Sequence, residues 1–221
     1  ASKQFLEVQT YDIGVALKND ADEALREKLD GLMARGIDKY TFVMEKNMDI
    51  VTDDGIKSIY LVVGTEEEMT PFLNLHTSAG EQIAYPALGE AVISNKLAED
   101  YKIKFGDSIT LRDEEMKSFT VRVSGIYENF IYNYVHIAED TWRQLTGEEP
   151  ERKTVYLNLS ETAESDVIVT DELSAHELSA ELMKWKQVSS VTVNRDTMER
   201  IGNMLASLDI IVVLVILCAE G

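Results

Sequence analysis

The run of side chains best equipped for chemistry is Tyr127-Glu128-Asn129-Phe130-Ile131-Tyr132-Asn133-Tyr134-Val135-His136. Phe130, Tyr132, Tyr134 and His136 alternate, so on a strand they share one face, with Tyr127 opening the run. Two uses fit such a face. It can pack as a cross-strand aromatic layer, or it can stay open and dock a peptide, a lipid or a partner protein, because tyrosine is enriched at interfaces. The other two histidines, His76 and His176, are far from it and have no cysteine nearby. All three histidines read as surface or satisfied residues rather than metal ligands.

The motifs of common catalysis are missing. The chain has no GxxxxGK[ST] phosphate loop, no HExxH zinc helix and no GxSxG nucleophile elbow. Asp53-Asp54, Glu114-Glu115 and Glu148-Glu149 are acidic pairs, but each falls in an expected turn, where paired acids are solvated charge. Asn158-Leu159-Ser160 is a glycosylation sequon inside an expected strand, where it carries little weight. Neither catalytic residues, nor a metal, nor a cofactor is expected.

Charge narrows the partners. Forty acidic residues against 21 basic ones leave a net charge of -19 over 221 residues. Phosphate backbones need a basic stripe, so nucleic acid is excluded as a partner, and adsorption of the body onto anionic lipid is disfavoured. The single cysteine, Cys218, lies in the apolar tail, so the body has neither a disulfide framework nor a thiolate site. A cysteine-free body suits an extracytoplasmic domain of an anaerobe or a Gram-positive bacterium.

The elements that must position these residues follow from periodicity. Strands are expected over Lys3–Leu17, Tyr40–Val51, Ser58–Val63, Ala91–Ile93, Ser108–Leu111, Phe119–Tyr127, Tyr132–Ile137, Thr154–Leu159 and Val188–Val193. Helices are expected over Asp20–Arg35, Ser94–Tyr101, Asp140–Leu145 and Ser174–Lys186, with capping boxes at Asp20/Glu23 and Ser174/Glu177. The texture changes near Gly80 and again at the polar connector Glu148–Arg152. These breaks predict an α+β fold: residues 1–79 with 149–200 form a β-α-β lobe, and 80–148 form an inserted, strand-rich lobe.

The last residues, Met204 to Gly221, are strongly apolar, with an unbroken run from Ile210 to Ala219. A span needs roughly 20 apolar residues to cross about 30 Å of hydrocarbon. The run therefore reads as the front of a transmembrane helix over 201–221, the alternative being a buried C-terminal core helix. Asp196 and Glu199 form a capping box for a helix that continues through Ile201 and Leu205 into this segment. No signal peptide is visible near Ala1, so an earlier membrane helix is expected to bring the domain outside the cell.

The passage Gly89-Glu-Ala-Val-Ile-Ser-Asn-Lys-Leu-Ala-Glu-Asp-Tyr-Lys-Ile-Lys-Phe-Gly-Asp-Ser-Ile-Thr-Leu111 resembles the extracytoplasmic core domain of FtsX/MacB-type ABC transporter permeases. The order strand, serine, helix, Gly106-Asp107, strand recurs there, and Phe119–Tyr127, with Val123, Gly125 and Ile126, is similar to the family's next strand. The resemblance is specific over residues 89–127. It implies a porter-like lobe carrying a sabre-like lobe, set between membrane helices of a permease that works as a dimer or pseudo-dimer. It also implies a separate ABC ATPase subunit and mechanotransmission, in which ATP-driven motion does work on a peptide, lipoprotein or cell-wall protein outside the cell membrane. The competing expectation is a membrane-anchored sensor or adhesion domain without an ATPase.

Overall fold

The computed structural model describes residues 9–129, 132–160 and 173–194. In chain order they form β1 (Ile13–Leu17), α1 (Glu23–Met33), β2 (Ile37–Thr52), β3 (Gly55–Gly64), α2 (Glu66–Met69) and a 3-10 turn (Thr70–Phe72). Then come β4 (Glu90–Ser94), α3 (Asn95–Tyr101), β5 (Ser108–Arg112), β6 (Ser118–Tyr127), β7 (Tyr134–Ala138) and α4 (Glu139–Thr146). The last are β8 (Thr154–Leu159), α5 (Ala175–Met183) and β9 (Val188–Val193). The fold is mixed α/β, built on one large sheet ordered β3-β7-β4-β6-β5-β2-β8-β1-β9.

β2 organises the molecule. Its first half pairs antiparallel with β8, Phe42 opposite Val155, and so joins the set β2-β8-β1-β9. Its second half pairs with β3 on one side and β5 on the other, Ile50 standing opposite both Lys57 and Leu111. Since β3 also pairs with β7, the strands β2, β3, β7, β4, β6 and β5 close into a ring. Closure removes edges from this part of the sheet. β3 lies inside the first expected lobe and hydrogen-bonds both to β2 of that lobe and to β7 of the expected insert. At sixteen residues, β2 is long enough to serve both strand sets.

Three cores follow. Ile50, Leu61, Ile93, Leu111, Val123 and Ile137 fill the ring, and Trp142 of α4 packs against them. Ile13, Val15 and Leu157 face α1 and α5 through Leu25, Leu29, Leu178 and Leu182. A third cluster sets Phe72, Leu73 and Leu75 of the segment after β3 against Val62, Val92 and Tyr127 on the outer face of the ring. Burial at this scale is worth about 25 cal/mol per Å² of apolar surface removed from water.

Local chemistry explains most element ends. The β2–β3 hairpin turns at Asp53-Asp54, with Gly55 at φ +131. The Ser174/Glu177 capping box of α5 forms in both directions. The cap of α1 is not Asp20 but Asp22, whose carboxylate accepts from the Leu25 amide at 2.8 Å. Asp20 is engaged elsewhere, accepting from the backbone N–H of Arg152 at 2.6 Å. Of the expected strand Lys3–Leu17, residues 3–8 lie outside the described residues; among the rest, β1 begins at Ile13, and Gln9 makes an isolated bridge to Leu73.

The Gly106-Asp107 turn has a mechanical role. Gly106 takes φ +88, and its N–H donates to Val123 O at 2.8 Å. The Asp107 carboxylate accepts from the Lys104 amide at 2.8 Å, closing the turn that delivers the chain into β5. Among the described residues, no helix is long and apolar enough to cross a membrane. Phe130, the helix residues Asp196, Glu199, Ile201 and Leu205, and the expected span over 201–221 lie outside the described residues.

Candidate ligand-binding site

The tyrosine run is divided by the fold. Tyr127 ends β6, and β7 begins only at Tyr134, so the residues between them connect two strands. On β7, Val135 and Ile137 point into the ring, while Tyr134 and His136 share the outer face, as alternation requires. Tyr127 reaches that same face through a bulge: the register steps from Ala91↔Val123 to Val92↔Gly125, leaving Ser124 as the extra residue.

Tyr127 and His136 are interior groups. They are 1% and 2% exposed, and the Tyr127 hydroxyl shares a 3.1 Å hydrogen bond with His136 Nε2. Burial lowers the His136 pKa to about 4 and pushes the Tyr127 phenol well above its usual value. These two members of the expected face are packing elements, not a docking surface.

Tyr132 is exposed and Tyr134 half-buried, and both gain a neighbour from β3. Tyr60 of β3 meets Tyr132 edge-on at 6.0 Å and Tyr134 at 5.5 Å between ring centroids. Tyr60 and Tyr132 are 45% and 44% exposed, so their ring faces can be reached from solvent. Beyond Tyr134, Tyr11 and Tyr156 stack at 4.1 Å with planes 3° apart. The Gln9 side chain accepts from the Tyr11 hydroxyl at 3.4 Å and also hydrogen-bonds Tyr134. Loss of water raises the Tyr134 phenol to about 12 and the Tyr11 and Tyr156 phenols well above normal, so all three stay neutral at physiological pH.

Glu45 of β2 completes the site. Its carboxylate accepts from the Tyr156 hydroxyl, while the residue itself stays open to solvent. Dense protein around the carboxyl pushes its pKa above the usual range, and the Tyr156 bond opposes that shift. Tyr11, Glu45, Tyr134 and Tyr156 border a groove of about 170 Å³ whose floor is Gly14, Ala16, Thr154, Ser190 and Thr192, with Asn194 at one end. That floor is the face of the β8-β1-β9 set turned away from α1 and α5.

The groove has aromatic walls and one carboxylate, but no nucleophile paired with a base. Among the described residues, no three His, Cys, Asp or Glu side chains are grouped as metal ligands. His76 lies 3.7 Å from the Glu128 carboxylate in a separate buried pair. Sequence pattern led to Tyr132 and Tyr134 but missed Tyr11, Tyr60, Tyr156 and Glu45. These come from separate parts of the chain, Tyr11 from the segment before β1 and the others from β3, β8 and β2, and the one local signal was a lone polar tip among aliphatic strand residues, as in Val155-Tyr156-Leu157.

No protein-family model and no curated protein matches this chain in sequence. Solved structures resemble it. The extracellular domain of the noncanonic ABC-type transporter YknZ from Gram-positive bacteria is 15% identical, with 81% of this chain and 99% of that one covered and a TM-score of 0.46. The periplasmic region of MacB from Actinobacillus actinomycetemcomitans is 13% identical, with 89% and 94% covered and a TM-score of 0.45. A domain of a permease protein from Porphyromonas gingivalis is 15% identical, with 79% and 81% covered and a TM-score of 0.43.

Proposed function

We propose that this chain is the extracytoplasmic domain of an FtsX/MacB-type ABC transporter permease and that it is not an enzyme. The observation that carries this reading is the passage over residues 89–127. Its residues resemble the family's pattern, and they form the strand, helix, Gly-Asp turn, strand and long strand that the pattern demands. A second observation supports tethering at one face. The Asn194 N–H donates to Asp12 O at 2.6 Å and its side chain to Tyr11 O at 2.9 Å, so the residues just before β1 and just after β9 lie side by side. Two membrane helices returning to one bilayer surface need such an arrangement.

On this reading residues 1–79 with 149–200 form the porter-like lobe, and 80–148 form the sabre-like insert, whose strands close into the ring with β2 and β3. The helix carrying Asp196, Glu199, Ile201 and Leu205 transmits motion from the membrane. An ABC ATPase works from the cytoplasm, the permease acts as a dimer or pseudo-dimer, and the object moved or signalled to is a peptide, a lipoprotein or a cell-wall protein.

The test uses the membrane-embedded protein in intact cells. A Lys117→Cys variant should react with a membrane-impermeant maleimide added outside, and a P-loop ATPase should co-purify with the protein in mild detergent. Protection of that cysteine in intact cells refutes the extracytoplasmic placement. Labelling without any ATPase favours an anchored sensor or adhesion domain instead.

A further inference from the structure

We infer that the groove between Tyr11, Tyr134, Tyr156 and Glu45 is a binding site for an alkylammonium group. Aromatic rings attract cations through the negative faces of their π systems, and the attraction grows as the site loses water. Tyr11 and Tyr156 form one stacked wall, and Tyr134 lines the groove with them. Glu45 supplies the counter-charge. One of its oxygens accepts from Tyr156. The carboxylate forms no ion pair with any lysine, arginine or histidine among the described residues, although twelve such pairs occur elsewhere in them. A crowded carboxylate with a spare oxygen, set among neutral phenols, gains from a cation that the described residues do not supply.

Size selects within the class. A groove of about 170 Å³ falls below the roughly 300 Å³ at which drug-sized ligands begin to fit, so it takes one ammonium head and a few carbons. The uncharged floor of Gly14, Ala16, Ser190 and Thr192 lets an alkyl stem lie flat on the sheet. Lysine side chains, polypeptide amino termini and free small amines share this chemistry. The inference is independent of the transporter reading, because it concerns only the groove.

The experiment titrates the 221-residue protein, observed by NMR, with butylammonium, N-acetyl-lysine amide and glycinamide, and with uncharged N-acetyl-norleucine amide as control. Saturable shifts at the groove are expected for ammonium probes alone, and which of the three binds tightest identifies the source. Glu45→Gln should weaken binding about tenfold, since it removes the charge yet can still accept from Tyr156. Glu114→Gln removes the same charge from an acidic surface outside the groove and should change affinity less than about twofold. Tyr134→Leu leaves the Glu45–Tyr156 bond in place and should also weaken binding severalfold. Absence of saturable binding by every ammonium probe overturns the assignment. So does equal binding of the norleucine control, equal loss in the two glutamate variants, or full affinity in both groove variants.

Discussion

Glu139 and Arg152 join two parts of the molecule that the chain separates by thirteen residues: the Arg152 guanidinium donates to Glu139 Oε1 from Nε at 2.9 Å and from Nη2 at 2.6 Å. Glu139 is 2% exposed, and its other oxygen accepts from Arg143 Nη2 at 2.9 Å. The Arg152 backbone meanwhile donates to Asp20 and accepts from the Ala21 N–H at 3.1 Å. Arg152 thus ties α4, which caps the ring, to the loop between β1 and α1.

Cutting this tie on one side should be costly. Removing one partner of a buried pair typically costs about 3–5 kcal/mol; here Glu139 keeps Arg143 as a second partner and Arg152 is partly open to solvent, and both pull the value toward or below the lower end. Arg152→Met is expected to lower stability by about 2–3 kcal/mol in urea unfolding. The double variant Glu139→Leu with Arg152→Met should recover part of that loss. A single variant within about 0.5 kcal/mol of wild type would show that the pair contributes nothing.

His136 makes stability depend on pH. Its folded pKa is about 4 against an ordinary 6.5, so between these values the unfolded chain binds the proton that the folded one refuses. The stabilisation is complete above about pH 6.5 and is lost as pH falls toward 4. The shift corresponds to about 3 kcal/mol at most. His136→Gln should flatten the fall in unfolding free energy between pH 7 and pH 4. An unchanged slope would place the acid sensitivity in other groups.

Gly125 answers to packing rather than to backbone angle. A Cβ there would overlap Ile83 Cγ2 and lie 3.3 Å from Val92 Cγ2. Gly125→Ala should destabilise the protein by about 1–3 kcal/mol, as overpacking of a filled site does. Ile83→Ala in the same chain should relieve the clash, so the double variant should lose less than the two single losses added together. Strict additivity would point to a different cause.

The proposed transmission helix predicts a functional phenotype without a folding one. Inserting a few glycines after Asn203 replaces a stiff element with a flexible tether. In the full transporter, ATP hydrolysis should persist while extracellular output is lost. Output at the wild-type level would rule out a rigid lever.

Much of the fold was legible because local interactions specify it. The helix capped by Ser174 and Glu177 and the hairpin turn at Asp53-Asp54 each rest on contacts within a few residues. The passage from Glu90 to Tyr127 was readable for the same reason, since strand alternation, helix spacing and a Gly-Asp turn agree with one another. Where a distant residue competed, local reading failed. Asp20 was a sound cap by position, but Arg152 claimed its carboxylate, and Asp22 capped α1 instead.

The candidate site shows the same division. Sequence alone determined that Tyr134 and His136 share a face, because side chains alternate along any strand. Which face lies open was decided only by tertiary structure. The bulge at Ser124 put Tyr127 in the cluster that holds Phe72 and Leu73, with His136 buried beside it. Closure of the ring through the β3–β7 pair brought Tyr60 to Tyr134, and the path of β2 between two strand sets set Glu45 against Tyr156. The partners of that last contact are 111 residues apart. No local pattern records such a meeting, because its position depends on the register of every strand between them.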